Sequence, residues 1–157
     1  MVEASRTAVV GDLARIVELA QLLRLELVAM KGGELWLRRE AWPEPLRDSY
    51  ANLIDADDTL VVVGTIDDTV IGYGVLVVET LRSGAQLGVI TDLFVEPDAR
   101  AVGIGECMVL QLIAFSEERN CIGIDALALP GHREAKNFFE RNAFTARSLT
   151  MHRRLDP

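Results

Sequence analysis

Cysteine and histidine, the side chains that most metal sites need, are scarce in this sequence. Its 157 residues include two cysteines, Cys107 and Cys121, and two histidines. The cysteines do not show the spacing of a metal site. We therefore expect them to be small buried hydrophobic residues, on one helix and just after it, and we expect no bound metal.

Basic residues are also few relative to acidic ones. Lysine and arginine total 16 against 24 aspartates and glutamates, so the formal net charge is −8 at pH 7. A protein that binds nucleic acid needs a basic face, so we expect no nucleic-acid partner. The negative charge is compatible with steering of a cationic substrate such as an amine, although simple solubility explains it equally well.

Long apolar runs are missing as well. No stretch of about 18 apolar residues occurs, which argues against a transmembrane helix. The first residues, Met1 to Arg6, lack the basic region and apolar run of a signal peptide. We expect a cytoplasmic protein with no membrane partner. Half of the residues are hydrophobic, which excludes disorder and fits a single domain over residues 1–157 with a sizeable core.

Hydrophobic periodicity predicts a mixed α/β domain. Strands are expected at residues 7–10, 59–66, 69–80, 86–96, 122–129 and 147–154, and helices at 13–30, 104–119 and 133–142. Residues 34–55 fit either one helix interrupted at Pro43 and Pro45 or two short helices. The strand at 122–129 would run parallel to its predecessor if the intervening helix is a right-handed crossover.

Individual residues refine this outline. Asp12 is expected to cap the first helix, and Asp67-Asp68 is expected to form a tight hairpin turn. Gly72 and Gly74 weaken their strand and indicate either a bulge or the close approach of another group.

The stretch from Val89 to Glu106 has the pattern strand, glycine turn, helix. Pro97 ends the strand, and Gly103 and Gly105 lead into the helix. Unpaired N–H groups and the helix dipole favour an anion at such a turn, and Arg100 adds a positive charge with donors suited to phosphate. The Walker pattern is absent, and the third glycine of the dinucleotide pattern is missing. A plain turn with glycines for packing explains these residues equally well.

The pattern Arg100-x-x-Gly103-x-Gly105 resembles the acyl-CoA pyrophosphate loop of the GNAT superfamily of N-acetyltransferases. Residues 91–97 look like the fourth strand of that family, particularly of its polyamine and small-amine members, and residues 135–144 resemble its late helix. The predicted order, βα(α)βββαβαβ, is also the order of the family. The resemblance implies a mostly antiparallel twisted sheet, splayed between strands 4 and 5, with helices on both faces.

The resemblance also implies that acetyl-CoA is the co-substrate. Backbone groups of the fourth strand would bind the pantetheine arm, and the Val95 N–H would stabilise the thioester oxyanion. The glycine turn would hold the pyrophosphate, and Asn137 would reach the cofactor from the late helix. The residues implied for the cofactor are Leu93, Phe94, Val95, Arg100, Ala101, Val102, Gly103, Ile104, Gly105, Glu106 and Asn137.

Two positions depart from the family pattern. Phe139 stands where the family usually has a tyrosine that acts as general acid, and Ala143 stands where glycine usually ends the helix, so Asn142 would take the left-handed conformation instead. Catalysis without the tyrosine is feasible, because positioning supplies more of the rate than acid catalysis does. Water or His132 would then protonate the leaving thiolate.

A base must also accept the proton of the substrate ammonium group. Asp92 and Glu79 are the candidates, although Asp92 is equally well explained by a structural hydrogen bond and Glu79 by a solvated charge. In the family, the segment after the first helix commonly shapes the acceptor pocket, so Trp36, Trp42 and Tyr50 are candidate substrate contacts. Packing in the core or in a dimer is the alternative for these aromatics.

The sequence therefore predicts an acyl-CoA-dependent N-acyltransferase. An acetyl group would pass to the primary amine of a small molecule by direct attack in a ternary complex. The alternatives are a protein N-acetyltransferase and a non-catalytic acyl-CoA-binding sensor or partner domain, which Phe139 favours. Members of the family commonly dimerise, so a homodimer is one expectation that the sequence itself does not decide.

Overall fold

A computed structural model describes residues 1–100 and 102–156. The strands in this part of the chain are β1 (Glu3–Thr7), β2 (Thr59–Ile66), β3 (Thr69–Thr80), β4 (Gln86–Val95) and β5 (Cys121–Ala126). The helices are α1 (Leu13–Val28), α2 (Gly33–Arg39), α3 (Leu46–Asp55), α4 (Ile104–Glu118) and α5 (Arg133–Arg141). Single 3-10 turns lie at Val10–Asp12 and Pro97–Ala99.

The strands form one sheet in the order β1-β2-β3-β4-β5. Strands β1 to β4 are antiparallel, and β5 runs parallel to β4 after the α4 crossover. Helices α1, α2 and α3 cover one face of the sheet, where their apolar residues pack with Val63, Tyr73 and Val75. Helix α4 covers the other face with Ile104, Met108 and Leu112. The predicted mixed α/β class, with helices on both faces, is confirmed.

The β2–β3 hairpin follows directly from its sequence. Valine and isoleucine fill both strands, whose predicted bounds are confirmed. Asp67 and Asp68 have φ angles of 47° and 69°, as a type I′ turn requires, and short aspartate side chains tolerate this left-handed region. The close approach expected at the strand glycines is also present, because a Cβ on Gly72 would lie 2.8 Å from the Phe94 carbonyl oxygen.

A β-bulge in β4 changes which face its side chains occupy. Ile90 pairs with Leu76 and Asp92 pairs with Val75, so Thr91 is one extra residue in β4. Ile90 therefore faces α4, whereas Asp92 points to the α1–α3 face. Without the bulge the alternation of a strand would put both side chains on the same face.

Strands β4 and β5 separate halfway along their length. Their pairing ends where Ile90 meets Ala126. Beyond that point, residues 91–95 of β4 have β3 as their only strand neighbour among the described residues. This is the splay between strands 4 and 5 that the resemblance to the GNAT superfamily implied.

Several local predictions were wrong. The first strand is Glu3–Thr7 rather than 7–10, and residues 10–12 form a 3-10 turn. The Asp12 carboxylate accepts hydrogen bonds from the Val9 N–H and the Arg6 guanidinium, and makes no side-chain cap on α1. Of the two alternatives for residues 34–55, two separate helices form.

The end of the described chain also differs from the prediction. Residues 147–154 form no strand, although their alternation predicted one. A strand requires a hydrogen-bonded neighbour, and within residues 1–100 and 102–156 no strand pairs with this segment. At the end of α5, Ala143 takes the left-handed conformation with φ 67°, and Asn142 does not.

Candidate active site

Asp92 lies at the centre of a buried polar cluster. Its side chain is on the α1–α3 face because of the bulge, and the residue is 5% exposed. Oδ2 accepts hydrogen bonds from the hydroxyls of Tyr50 at 2.5 Å and Tyr73 at 2.6 Å. Oδ1 accepts one from Trp42 Nε1 at 2.9 Å and one from the Thr91 hydroxyl at 2.7 Å. These four donors among the described residues match the roughly four lone-pair sites of a carboxylate.

The two tyrosines are held in their protonated form. Burial raises the pKa of Tyr50 and of Tyr73, and the adjacent Asp92 carboxylate raises both further. A phenol that stays neutral remains a hydrogen-bond donor. The two hydroxyls therefore satisfy Asp92 and bridge α3 and β3 to β4.

Two small cavities meet at Thr91 and Asp92. The first has a volume of about 10 Å³ and lies between α1, α2 and the segment that precedes α3. Its lining is Ala20, Leu23, Arg24, Trp36, Glu40, Ala41, Trp42, Tyr50, Thr91 and Asp92. A single water needs about 10–15 Å³, so an acceptor molecule would have to move these side chains apart.

The second cavity lies where β4 and β5 splay, and α5 forms its far wall. Its volume is about 50 Å³. Its lining is Leu23, Leu27, Trp36, Ile90, Thr91, Asp92, Leu93, Leu127, Leu129, His132, Ala135 and Phe139. Leu23, Trp36, Thr91 and Asp92 therefore line both cavities. The arrangement gives two adjoining approaches to one buried carboxylate.

The unpaired part of β4 directs backbone groups into the splay. The Glu96 N–H donates to the Ile71 carbonyl on β3, whereas the Val95 carbonyl accepts from Arg100 Nε on the other side. Backbone groups alternate in direction along an antiparallel strand. Val95 and Leu93 therefore present their N–H and C=O groups to the splay, and the backbone of Phe94 faces β3.

Gly103 and Gly105, in the turn after β4, are glycines for two different reasons. Gly103 is the N-cap of α4 and has φ +87°, with open space where a Cβ would lie. Gly105 needs its small size, because a Cβ there would lie 2.7 Å from the Phe138 ring of α5. Packing thus explains Gly105, and backbone conformation explains Gly103. Ala101, which the sequence assigned to the cofactor, lies outside the described residues.

Arg100 is already engaged by acidic residues. Its guanidinium contacts Glu26 of α1 at 2.8 and 2.9 Å and Glu134 of α5 at 3.1 Å. It also lies 5.1 Å from the Phe94 ring centroid. The Glu26 carboxylate raises the pKa of Arg100 through these hydrogen bonds. Arg100, which is expected to bind a pyrophosphate, therefore links α1 to α5 across the turn.

The structure brings some of the predicted catalytic residues together. Leu93, His132 and Phe139 line the second cavity with Asp92. His132 Nε2 also lies 3.8 Å from a Glu26 carboxylate oxygen. His132 thus lies beside the position from which the family tyrosine is missing.

Other predicted cofactor residues lie along the turn and the late helix. Ile104 is completely buried against the sheet, while Val102 and Glu106 are half-buried and Asn137 is exposed on α5. The Ile104 side chain therefore serves the core. Roles for their backbone groups, and for the Asn137 side chain, stay predictions.

The predicted substrate residues separate into two groups. Trp36, Trp42 and Tyr50 line the first cavity, and they also pack in the core, so the two explanations for these aromatics are compatible. Glu79 is exposed and pairs with Leu87. Leu87 is about 15 Å from Asp92 along β4, so Glu79 lies away from both cavities.

Sequence reasoning missed several residues of the site. It did not select Tyr73 or Thr91 because the bulge that brings them to one carboxylate has no clear sequence signal. Strand pairing was the one usable clue, since Tyr73 lies two residues from Val75, the cross-strand partner of Asp92. Glu26 and Glu134 belong to helices distant in sequence from Arg100, so no local pattern indicated them.

The sequence of the chain matches a family model. The model describes the acetyltransferase (GNAT) family and matches residues 19–144. The chain belongs to the GNAT acetyltransferase family. Members of this family generally use acetyl-CoA as co-substrate, so the β4–β5 splay is the place to test for its fit. No curated protein sequence matches the chain.

Solved structures, two acetyltransferases among them, share this fold. A tetramutant of the BH1408 protein of Bacillus halodurans superposes with a TM-score of 0.80 at 19% identity, covering 99% of this chain and 100% of that one. Glucosamine-6-phosphate N-acetyltransferase of Arabidopsis thaliana superposes with a TM-score of 0.70 at 19% identity, covering 99% of this chain and 100% of that one. An aminoglycoside acetyltransferase from an uncultured soil metagenomic sample, in complex with sisomicin, superposes with a TM-score of 0.71 at 17% identity, covering 99% of this chain and 96% of that one. At these identities the likeness concerns the fold.

None of the helices within residues 1–100 and 102–156 is long and apolar enough to cross a membrane. The same residues contain no group of three or more histidine, cysteine, aspartate or glutamate side chains that could hold a metal ion.

Proposed function

We propose that this chain transfers an acetyl group from acetyl-CoA to the primary amine of a small molecule, by direct attack in a ternary complex. The observation that carries the proposal is the meeting of the two cavities at Thr91 and Asp92. One cavity opens on the splayed edge of β4, and the other lies under the segment that shapes the acceptor pocket in this family. A thioester in one and an amine in the other would meet beside Asp92.

Backbone groups beside the second cavity and at the turn after β4 support acetyl-CoA as the co-substrate. Leu93 offers its backbone N–H and C=O groups to the amides of the pantetheine arm, and the Val95 N–H could donate to the thioester oxygen. The Val95 carbonyl already accepts a hydrogen bond from Arg100 Nε. The turn at Gly103 and the first N–H groups of α4 follow directly and suit a pyrophosphate. Arg100 would bind that pyrophosphate only after its contacts with Glu26 rearrange. When bound, acetyl-CoA supplies an activated acyl group with a thiolate as leaving group.

The acceptor side supports a small cationic amine. Glu40 and Asp92 both line the first cavity, together with a single arginine, Arg24. The cavity is narrow and lined by aromatic rings, which suits a small molecule better than a folded protein. Two structural neighbours act on, or bind, amine-bearing sugars or aminoglycosides. We infer an acceptor with at least one free primary amine, of the polyamine or amino-sugar class.

Proton transfer must use groups other than the family tyrosine. Four donors already fill the lone pairs of Asp92, so Asp92 would receive the amine proton through the hydroxyl of Thr91, a residue that lines both cavities. On the thioester side, Asp92 and His132 are the two acid–base side chains among the described residues that line the second cavity. We propose that His132, or water beside it, protonates the leaving thiolate.

A second candidate function is an acyl-CoA sensor without catalysis. Phe139 supports it, because it lines the cavity and has no proton to donate. Thermal shift and calorimetry with acetyl-CoA and CoA, followed by thiol release with a panel of primary amines, separate the two functions. Binding with amine-dependent thiol release supports the transferase, binding without release from any amine favours the sensor, and absence of binding contradicts both.

A further inference from the structure

Asp92 is a buried carboxylate whose four hydrogen-bond donors are all neutral. They are the hydroxyls of Tyr50, Tyr73 and Thr91 and the indole N–H of Trp42. Within residues 1–100 and 102–156 no basic side chain forms an ion pair with Asp92. A buried charge is costly unless an opposite charge accompanies it. Asp92 is therefore suited to receive a cation.

Arg24, the arginine in the lining of the first cavity, is engaged elsewhere. Its Nη1 donates to the Trp42 carbonyl at 2.9 Å, and its Nη2 lies 3.7 Å from a Glu44 carboxylate oxygen. Arg24 thus holds the segment between α2 and α3 in place instead of pairing with Asp92. An ammonium group from a ligand would supply the positive charge, with a hydrogen bond about twice as strong as a neutral one.

An arriving ammonium group has to replace one of the four donors, because together they fill the lone pairs of the carboxylate. Tyr73 on β3 and Tyr50 on α3 are buried in the core, and Thr91 belongs to β4 itself. Trp42 is only half-buried and lies outside every helix and strand. Its Nε1 is 2.9 Å from Asp92 Oδ1 and 3.2 Å from Thr91 Oγ1. Trp42 is therefore the donor that can leave, and it contacts both groups that the acceptor amine must reach.

The segment around Trp42 has few attachments. The backbone groups of Trp42, Pro43 and Glu44 make no backbone–backbone hydrogen bond in the described part of the chain. Besides the contacts of Arg24, the Ser49 hydroxyl donates to the Pro43 carbonyl at 2.7 Å. Outward movement of this segment would remove the indole from the lining of the first cavity, whose volume of about 10 Å³ is too small for an acceptor.

We propose that Trp42 closes the acceptor cavity and that a primary ammonium group opens it, by replacing the indole N–H as the donor to Asp92 and Thr91. This role rests on the proposed function, in which the acceptor amine reaches the same two residues, and it makes Trp42 specificity-determining. An ammonium group restores the lost hydrogen bond and adds a positive charge, whereas an alcohol of the same size restores the bond alone. The cavity therefore opens for amines in preference to neutral molecules.

The indole N–H signals of nitrogen-labelled protein report this exchange in an NMR titration. The chain has two tryptophans, Trp36 and Trp42, and Trp36→Phe assigns the two signals. Propylamine, putrescine and glucosamine are titrated beside their neutral analogues propanol, butanediol and glucose. At least one amine should shift the Trp42 signal saturably, at a concentration about tenfold or more below that of its analogue. A Trp42 signal that no amine shifts, or that an amine and its analogue shift at equal concentrations, would overturn the proposal.

Ser49→Ala tests the segment that carries Trp42. The substitution removes the bond to the Pro43 carbonyl and changes neither cavity lining. The amine should therefore half-saturate the Trp42 signal at a concentration about threefold to tenfold lower than in the wild type. Asn52→Ala is the matched control, because Asn52 is an exposed polar residue further along α3, and it should leave this concentration unchanged. An unchanged or higher concentration in Ser49→Ala would contradict the proposal.

Thiol release from acetyl-CoA, measured with the same amines, tests the proposed function separately. Release with an amine that leaves the Trp42 signal unchanged would contradict the closure by Trp42 and leave the transferase intact. A Trp42 signal that amines shift without any thiol release would contradict the transfer and retain Trp42 as the closure of an amine-binding cavity.

Discussion

The Tyr50 hydroxyl donates a hydrogen bond of 2.5 Å to Asp92 Oδ2. This bond joins α3 to β4, the strand whose Asp92 lines both cavities. The same oxygen accepts from Tyr73, and Oδ1 accepts from Trp42. Asp92 thus holds together β3, β4, α3 and the segment before α3. Any substitution in this cluster should affect both the folding of the acceptor side and the chemistry proposed for it.

Asp92→Asn should lower both stability and turnover. The amide replaces one acceptor oxygen with a donor, so at least one buried hydrogen bond to the side chain is lost. We expect a loss of about 2–3 kcal/mol in the free energy of unfolding and a fall in kcat of about 10²–10⁴-fold if Asp92 receives the amine proton. Chemical denaturation and steady-state thiol release measure the two effects.

Asp12→Asn is the control for the stability effect. Asp12 is also a buried carboxylate, and it bonds to Arg6 and Val9 far from both cavities. Asp12→Asn should lower the free energy of unfolding by about 1–2 kcal/mol with little change in kcat. Equal loss of kcat in the two variants would show that Asp92 acts through the fold alone.

The raised pKa values of Tyr50 and Tyr73 predict that the protein loses stability at alkaline pH. Their pKa values are raised by burial and then by Asp92, so the folded state keeps protons that the unfolded chain releases above about pH 10. Their contribution to stability is fully present below that pH and is lost as the pH rises through the folded pKa. The free energy of unfolding should fall by up to about 1.4 kcal/mol per pH unit for each tyrosine.

Urea denaturation between about pH 9 and 11 checks this slope. Tyr50→Phe should be less stable at neutral pH and should show a shallower alkaline decline than the wild type. The comparison removes the background from other titrating groups, which both proteins share. Parallel declines in the two proteins would contradict the assignment of this slope to Tyr50.

Gly103→Ala tests the turn as a pyrophosphate site. An alanine at φ +87° is strained by about 1–2 kcal/mol, and relief of that strain would turn the N–H groups at the start of α4. The dissociation constant for acetyl-CoA, measured by calorimetry, should rise about tenfold. Gly84→Ala is the matched control, since Gly84 has φ +94° and equally open surroundings in another turn. Similar affinities in the two variants would argue against a phosphate at Gly103.

Glu26→Gln should tighten the binding of acetyl-CoA. Glu26 is one of two carboxylates that occupy the Arg100 guanidinium, and its neutral analogue would compete less with a pyrophosphate. A partly exposed ion pair contributes about 0–1 kcal/mol, so the dissociation constant should fall by up to about fivefold. Glu18→Gln, an exposed position on the same helix, should leave affinity unchanged. Weaker binding in Glu26→Gln would show that Glu26 orients Arg100 for the phosphate instead.

Phe139→Tyr restores the hydroxyl that the family usually has at this position. Phe139 lines the second cavity, so we expect kcat to rise, by at most about tenfold, because His132 or water already supplies the proton. His132→Ala should then change the pH–rate profile of the wild type and have a smaller effect in the Phe139→Tyr background. An unchanged profile in His132→Ala would exclude His132 as the acid.

Local sequence patterns predicted the parts of the fold that depend on neighbouring residues. The β2–β3 hairpin was predicted to the residue because two valine-rich runs flank Asp67-Asp68, and the turn before α4 was recognised from its glycines. Asp92 was identified as a charge in an apolar strand, but its partners were not. Tyr50 and Tyr73 reach it through long-range packing and through a bulge at Thr91, neither of which leaves a local pattern.

Two other features that the sequence did not reveal depend on long-range partners. Arg100 was expected to bind a phosphate, which stays a prediction, but its pairing with Glu26, 74 residues away in sequence, had no local pattern. The alternation at residues 147–154 predicted a strand, but a strand forms only when an edge accepts it. In both cases the sequence identified the chemical character of the residues, and the missing information was which partner each would contact.

Transfer of labelled acetyl in a single turnover tests the proposed reaction most directly. Enzyme in excess is mixed with radiolabelled acetyl-CoA and a primary amine, and the label is followed into the amine, the protein and the remaining acetyl-CoA. Direct attack predicts that the label moves to the amine at the rate of thiol release, with none bound to protein. Label on Cys107, Cys121 or another protein group, or label that stays on acetyl-CoA with every amine, would contradict it.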